Sequence, residues 1–251
     1  NWYLICQAKE GSGDTYTTGS ACGWQNGTTY PPASMTAYFT VSALVAPSNP
    51  SASQASSSQI DLEWTKGVSG GSSKDTIIFR STSATAPTPV GGTSYSSGSD
   101  YSFGGNTYRC VYIGNGTSTS DASLSAGTKY YYYFFAENYS YYSAGVTANA
   151  CTAVTIGTQP ANAAACVGST AQFSVTPNAG TTPTYKWQVD KGSGWTDCTA
   201  SDGSNYDTAT FTTAATTSGM NGYKYRCAVT DACGTTAVNT DGNATLTVNT
   251  K

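Results

Sequence analysis

Six consecutive aromatic residues, Tyr130-Tyr131-Tyr132-Tyr133-Phe134-Phe135, constrain this chain more than any other stretch. Side chains of a β-strand alternate between its two faces. As a strand, the run sends Tyr130, Tyr132 and Phe134 one way and Tyr131, Tyr133 and Phe135 the other. One set fills a core. The other either coats an outer sheet face, covered by neighbouring Thr and Lys stems, or stands exposed as a platform. A platform would stack on sugars or pack against a neighbouring subunit. Tyr139, Tyr141 and Tyr142 follow closely and weigh towards contact.

Shorter runs repeat the period of two. Examples are Ile60-Asp61-Leu62-Glu63-Trp64, Tyr185-Lys186-Trp187-Gln188-Val189 and Tyr223-Lys224-Tyr225-Arg226-Cys227, separated from one another by Gly, Ser, Asn and Asp. The Ala-rich stretch at residues 161–165 is short and bracketed by Pro160 and Gly168, so it predicts no helix. With 41 Thr, 32 Ser and 19 Tyr among 251 residues, the chain reads as all-β.

Composition excludes several functions. No stretch approaches the roughly 20 apolar residues of a membrane span. A formal charge of −3 supplies no field to attract nucleic acid. The absence of histidine removes His-based triads and His-containing metal sites. Asp61 and Glu63 share one strand face, but glycoside hydrolysis needs two carboxylates about 5–9 Å apart across a cleft. Asp197, Asp202 and Asp207 do not follow EF-hand spacing. The Gly-rich stretch at 67–71 precedes no helix and lacks the Lys-Thr of a phosphate loop. A non-enzymatic protein without metal or cofactor is expected.

Two joints divide the chain. Ala46-Pro47-Ser48-Asn49-Pro50 is punctuated by proline, and a second joint lies near Val154, before Gln159-Pro160. Residues 47–153 and 154–251 each have the length of one β-sandwich, about 100 residues. Residues 1–46 hold two strands, at 2–6 and 35–42, around a loop with Cys22 and Trp24. Two strands are marginal alone, and their open edges need cover. The hairpin either docks on the next domain, is the tail of a domain removed by cleavage, or is completed by another copy through strand addition. The last contact is head-to-tail and generates filaments. Its candidate assembly side chains are Trp2, Leu4, Tyr38, Phe39 and Val41.

The eight cysteines are even in number and lack C-x-x-C spacing, which predicts disulfides in an oxidising compartment. By segment, Cys6 pairs with Cys22 and Cys110 with Cys151. Cys166, Cys198, Cys227 and Cys233 allow three pairings. The first residues show no basic n-region or long apolar h-region, so Asn1 is expected to begin a mature or cleaved product. N-x-[ST] sequons at Asn26, Asn115, Asn138 and Asn243 matter only where the source glycosylates Asn.

Residues 47–153 resemble a fibronectin type III domain. The resemblance rests on Pro47 and Pro50, on Leu62-x-Trp64, on Leu124-Ser-Ala-Gly127-Thr128-Lys-Tyr130 with Ala126 in place of proline, and on Phe135-Ala136-Glu137-Asn138. It implies that Trp64 is buried and that the Tyr130 hydroxyl bonds back to the backbone at a strand corner. The stretch from Gly91-Gly92-Thr93-Ser94-Tyr95 through Val111-Tyr112-Ile113-Gly114 is similar to variants in secreted bacterial surface proteins, especially of the Bacteroidota.

Residues 157–250 resemble an immunoglobulin-like domain. Gly168 to Val175 looks like strand B, Tyr185 to Val189 like strand C with its buried Trp187, and Met220 to Cys227 like the E–F corner and strand F. Tyr225 stands two before Cys227, as in a tyrosine corner. Val175 occupies the usual place of the B-strand cysteine, so Cys227 finds another partner or stays a buried thiol. Resemblance to bacterial domains of this kind implies Cys166–Cys233, leaving Cys198 for Cys227. It also implies D-[ST]-apolar O-glycosylation acceptors at Thr76 and Thr208, positions that strand and loop structure alone also explain.

The expected protein is a secreted, extracellular or cell-surface chain: a fibre subunit assembled from copies of itself, possessing no membrane span and binding no nucleic acid. The alternative is an adhesin fragment or glycan-binding accessory module, with Tyr131, Tyr133 and Phe135 as its platform.

Overall fold

The computed structural model describes residues 43–69, 72–138, 141–179, 182–230 and 237–250, with Ser72 and Ser73 described by their backbone alone. The candidate assembly residues Trp2, Leu4, Tyr38, Phe39 and Val41, and also Cys6, Cys22 and Cys233, lie outside them. The fold is all-β, and among the described residues the one helical turn is a 3₁₀ turn at Ser218–Met220.

The first group of strands is β1 (Ser48–Gln54), β2 (Ile60–Thr65), β3 (Asp75–Ser81), β4 (Asp100–Phe103), β5 (Asn106–Gly114), β6 (Ser118–Asp121), β7 (Lys129–Asn138) and β8 (Val146–Cys151). One sheet has the order β1-β2-β6, and the facing sheet runs β8-β7-β3-β5-β4. All these pairings are antiparallel. Alternation works as the sequence requires. Ile60, Leu62 and Trp64 of β2 point into the gap and meet Tyr130, Tyr132 and Phe134 of β7, with Ile78 and Leu124. Each large apolar side chain so buried stabilises by roughly 1.5–3 kcal/mol. Trp64 is buried, as the resemblance implies, and its Nε1 donates to Thr76 Oγ1 at 3.0 Å. The strand corner is also present: the Ser125 N–H donates to the Tyr130 hydroxyl at 3.1 Å.

The second group is β9 (Ala163–Cys166), β10 (Gln172–Ser174), β11 (Thr184–Asp190), β12 (Trp195–Asp197), β13 (Thr210–Thr213), β14 (Lys224–Thr230) and β15 (Ala244–Asn249). One sheet runs β9-β15-β14-β11-β12, with β9 parallel to β15; the other pairs β10 with β13. Between them Phe173 stacks on Tyr225 with centroids 4.4 Å apart, and Phe211 lies 5.9 Å from Trp187. Trp187 is fully buried and its Nε1 donates to the Thr208 carbonyl at 2.9 Å.

The disulfide expectations need correction. Cys110, Cys166, Cys198 and Cys227 carry free thiols. Cys151 is disulfide-bonded, but not to Cys110. Cys110 lies on β5 and Cys151 on β8, and β3 and β7 run between them. Cys198 and Cys227 flank Trp187 in one sheet: the Cys198 N–H donates to the Trp187 carbonyl, and Trp187 pairs with Cys227. Two strand spacings put those cysteines about 10 Å apart, beyond the roughly 7 Å limit of a disulfide. Cys166 pairs with Asn249 at the exposed end of β9, its thiol free rather than joined to Cys233.

Candidate functional site

The expected aromatic platform is a second core. Tyr133 is 1% exposed and Phe135 3%. They pack with Ile77, Phe79, Tyr108 and Cys110 on the side of the sheet away from the inter-sheet gap. Tyr131 is half-buried there, with Lys129 Nζ 5.4 Å from its ring centroid. The cover is the segment between β3 and β4, together with β4 itself: Tyr95, Tyr101 and Phe103 meet Phe79 edge-on, with centroids 5.1, 6.1 and 5.5 Å away. Aromatic rings cover Tyr133 and Phe135, which corrects the exposed platform at those two residues, and the Lys129 stem lies over Tyr131 alone.

Tyrosine hydroxyls pin the cover down. Tyr133 donates to the Ser83 carbonyl at 2.7 Å, Tyr108 to Thr85 at 2.6 Å, and Tyr142 to Thr93 at 2.6 Å. Within the cover, Tyr95 and Tyr101 accept from the Val90 and Ser96 N–H groups. A Ser/Gly/Pro-rich loop thus gains the backbone partners that a strand would supply. Burial pushes the Tyr133 hydroxyl up to about 12 and the Cys110 thiol up to about 12. A thiol held that high is a poor nucleophile. The same desolvation raises Cys198 to about 12 and Cys227 to about 11. Val175 fills the space of the absent partner cysteine, and Cys227 stays a buried thiol.

Other expected sites divide. Thr76 is fully buried and accepts from Trp64, so it is no glycosylation acceptor. Thr208 is exposed, in a turn held by its hydroxyl bonds to the Asn205 and Thr210 carbonyls. Asp61 accepts from Gln59 and Ser120, which hold its carboxyl below the usual range, and faces no cleft partner. Asp197 and Asp202 are engaged by different lysines, Lys186 and Lys191. No group of three or more His, Cys, Asp or Glu able to hold a metal occurs among the described residues.

The feature the sequence reading missed lies on the outer face of the β12-β11-β14 sheet. Because Trp187, Val189, Tyr225 and Cys227 point inward, Lys186, Gln188, Lys224 and Arg226 point out. Asp197, Gln188 and Arg226 form one row across three strands. Arg226 Nε donates to Gln188 Oε1 at 2.7 Å, and Gln188 Nε2 to Asp197 Oδ1 at 2.9 Å. Lys186 Nζ lies 2.6 Å from Asp197 Oδ2. Half-buried Trp195 lies over Arg226, whose guanidinium carbon is 4.5 Å from the ring centroid. The indole edge runs beside Gly242, where an added Cβ would stand 2.9 Å from Trp195 Cζ2. The available signal was the Asp190-Lys-Gly-Ser-Gly-Trp195 hairpin: a tight turn followed by a two-residue period places Trp195 and Asp197 on one face.

No family model matches the chain, and no curated protein matches it. The solved structures similar to it are fibronectin type III and immunoglobulin-like tandems. A two-domain fibronectin type III segment of chicken tenascin is 14% identical, with 77% of this chain and 97% of that chain covered and a TM-score of 0.40. Extracellular domains 3–5 of Drosophila OTK are 11% identical, covering 83% and 63%, with a TM-score of 0.42. The tandem Ig repeats of Dlar are 14% identical, covering 82% and 96%, with a TM-score of 0.32. At this distance the likeness carries nothing about ligand or role.

Proposed function

We propose that this chain is a non-enzymatic structural module of an extracellular or cell-surface protein, with residues 47–153 and 154–251 as its sandwich domains. The observation that carries the proposal is how its reactive side chains are engaged. Asp121 accepts from both Arg80 and Tyr132 between the sheets. Five tyrosine hydroxyls hold a covering loop, and three thiols are buried and raised in pKa. These groups build the fold rather than line a cleft. A secreted bacterial source of the Bacteroidota type belongs to the same proposal, on the sequence resemblance alone.

Within this reading the chain is a fibre subunit whose copies are joined by strand complementation through residues 1–46. Electron microscopy of the native material tests it. Filaments that are lost on deleting residues 1–46 are the expected result. Filaments that survive the deletion overturn strand complementation through that segment, and isolated short rods overturn the fibre.

One observation favours a second reading, an adhesin fragment or glycan-binding accessory module. Trp195 lies on an outward sheet face among hydrogen-bonding side chains. Thr208, exposed in its turn, stays a proposed O-glycosylation acceptor.

A further inference from the structure

We propose that Trp195, with the row Arg226–Gln188–Asp197, forms a subsite for one pyranose ring of a neutral saccharide. The inference rests on the glycan-binding reading above and assigns it a place that the strand Tyr130–Phe135 does not provide.

The indole is held in advance. Arg226 supports it at 4.5 Å, and the lack of a side chain at Gly242 admits its edge. The guanidinium is itself fixed by its 2.7 Å bond to Gln188, and Gln188 by its 2.9 Å bond to Asp197. A ring and three planar polar groups fixed before binding lose little entropy when a ligand arrives.

The chemistry of the row suits a sugar. An indole presents a negative π-face, and the C–H bonds on one face of a pyranose offer the matching positive edge. Gln188 retains one amide hydrogen and one lone pair beyond its bonds in the row. Asp197 retains acceptor capacity, and Arg226 retains its Nη donors. Neighbouring hydroxyls on one sugar ring supply both donors and acceptors to such a set.

Charge and area decide between occupants. Lys186 is matched by Asp197, and Lys224 stands opposite Asp190. Signs that alternate across the face favour a neutral ligand over a polyanion. A second copy of the chain would need about 800 Å² on each partner with an apolar centre. One half-buried indole bordered by charged side chains does not provide that.

The test uses the full chain against an array of neutral gluco-, xylo-, manno- and galacto-oligosaccharides, followed by titration of any hit with calorimetric heat as the readout. Trp195→Ala and Gln188→Ala are compared with the unaltered chain, and thermal unfolding checks that each variant is folded. The expected result is binding that weakens at least tenfold in Trp195→Ala and severalfold in Gln188→Ala, with melting unchanged. Gln188→Ala keeps the test valid should Trp195→Ala fail to fold. Binding that both variants retain overturns this site and leaves the glycan reading standing. Absence of binding to every oligosaccharide at millimolar concentration overturns the site and the glycan reading together, and leaves the fibre reading.

Discussion

The Tyr132 hydroxyl donates to Asp121 Oδ2 at 3.0 Å between the two sheets of the first sandwich. Arg80 Nη1 reaches both oxygens of the same carboxylate at 2.9 Å, and its guanidinium carbon lies 5.2 Å from the Tyr130 ring centroid. Three strands thus meet at one carboxylate whose side chain is 8% exposed. Removing one partner of a buried ion pair leaves an uncompensated charge, which costs about 3–5 kcal/mol. Arg80→Ala is therefore expected to destabilise by about that much. Tyr132→Phe, which keeps the ion pair and loses one charged hydrogen bond, should cost about 1.5–3 kcal/mol. Urea unfolding of the two variants checks the order, and a larger loss for Tyr132→Phe would reverse the argument.

The covering loop should respond to alkali. The Tyr133 hydroxyl is raised to about 12 because ionising it would bury a phenolate. A raised folded pKa gives stability that is complete below the unfolded value, near 10, and is lost as pH climbs through 12. Hydrogen exchange of residues 83–99 is expected to accelerate, beyond its intrinsic base-catalysed rise, between about pH 10 and pH 12. Tyr133→Phe is expected to shrink that step, leaving the part due to the Tyr108 and Tyr142 hydroxyls, and to leave the loop one hydrogen bond weaker below pH 10, by about 0.5–1.5 kcal/mol. Protection that does not change with pH in the unaltered chain would show that the hydroxyl does not hold the loop.

Asp75 and Glu137 stand directly opposite each other on β3 and β7. Like charges so placed are destabilising. Desolvation, followed by the Asp75 charge, raises the Glu137 carboxyl above its usual range. The stability associated with that raised value is present below the ordinary carboxylate pKa and lost as pH rises through the folded one. Glu137→Gln is expected to stabilise at neutral pH by about 0.2–1 kcal/mol. The difference should vanish in acid, where Glu137 is protonated in the unaltered chain too. Thermal melts at pH 7 and pH 3 distinguish this from a gain independent of charge.

The strands themselves were legible because alternation is local. Ile60, Leu62 and Trp64 face the core, and the Tyr130 corner closes on Ser125, as residue spacing and family resemblance implied. What lies over the second face of Tyr130–Phe135 was not legible. Its cover is a loop whose Tyr95 sits among Ser, Gly and Pro, and nothing periodic marks that ring as core. Cysteine pairing failed for a related reason. An even number of cysteines says nothing of strand order, and order places β11 between Cys198 and Cys227. Trp195 was passed over because a three-residue strand carries too few alternations to reveal its outer face.

The place of Val175 makes the last expectation. Phe173 stacks on Tyr225 across the core of the second sandwich. Two residues on from each in sequence stand Val175, just past the end of β10, and Cys227, both buried in that core. The inter-sheet disulfide that the immunoglobulin-like resemblance of the sequence implies is missing here by one side chain. Oxidised Val175→Cys is expected to form a bridge to Cys227, seen as the loss of two free thiols relative to the reduced variant, with Cys198 still free, and as a matching peptide cross-link. A loop of this length should then stabilise the domain by about 2–4 kcal/mol relative to the reduced variant. The reduced variant should itself be less stable than the unaltered chain, because cysteine fills less of the core than valine and leaves part of the space empty. If the two thiols remain free under oxidising conditions, the strands are too far apart for a bridge, and Val175 marks a sandwich whose sheets are spaced for packing alone.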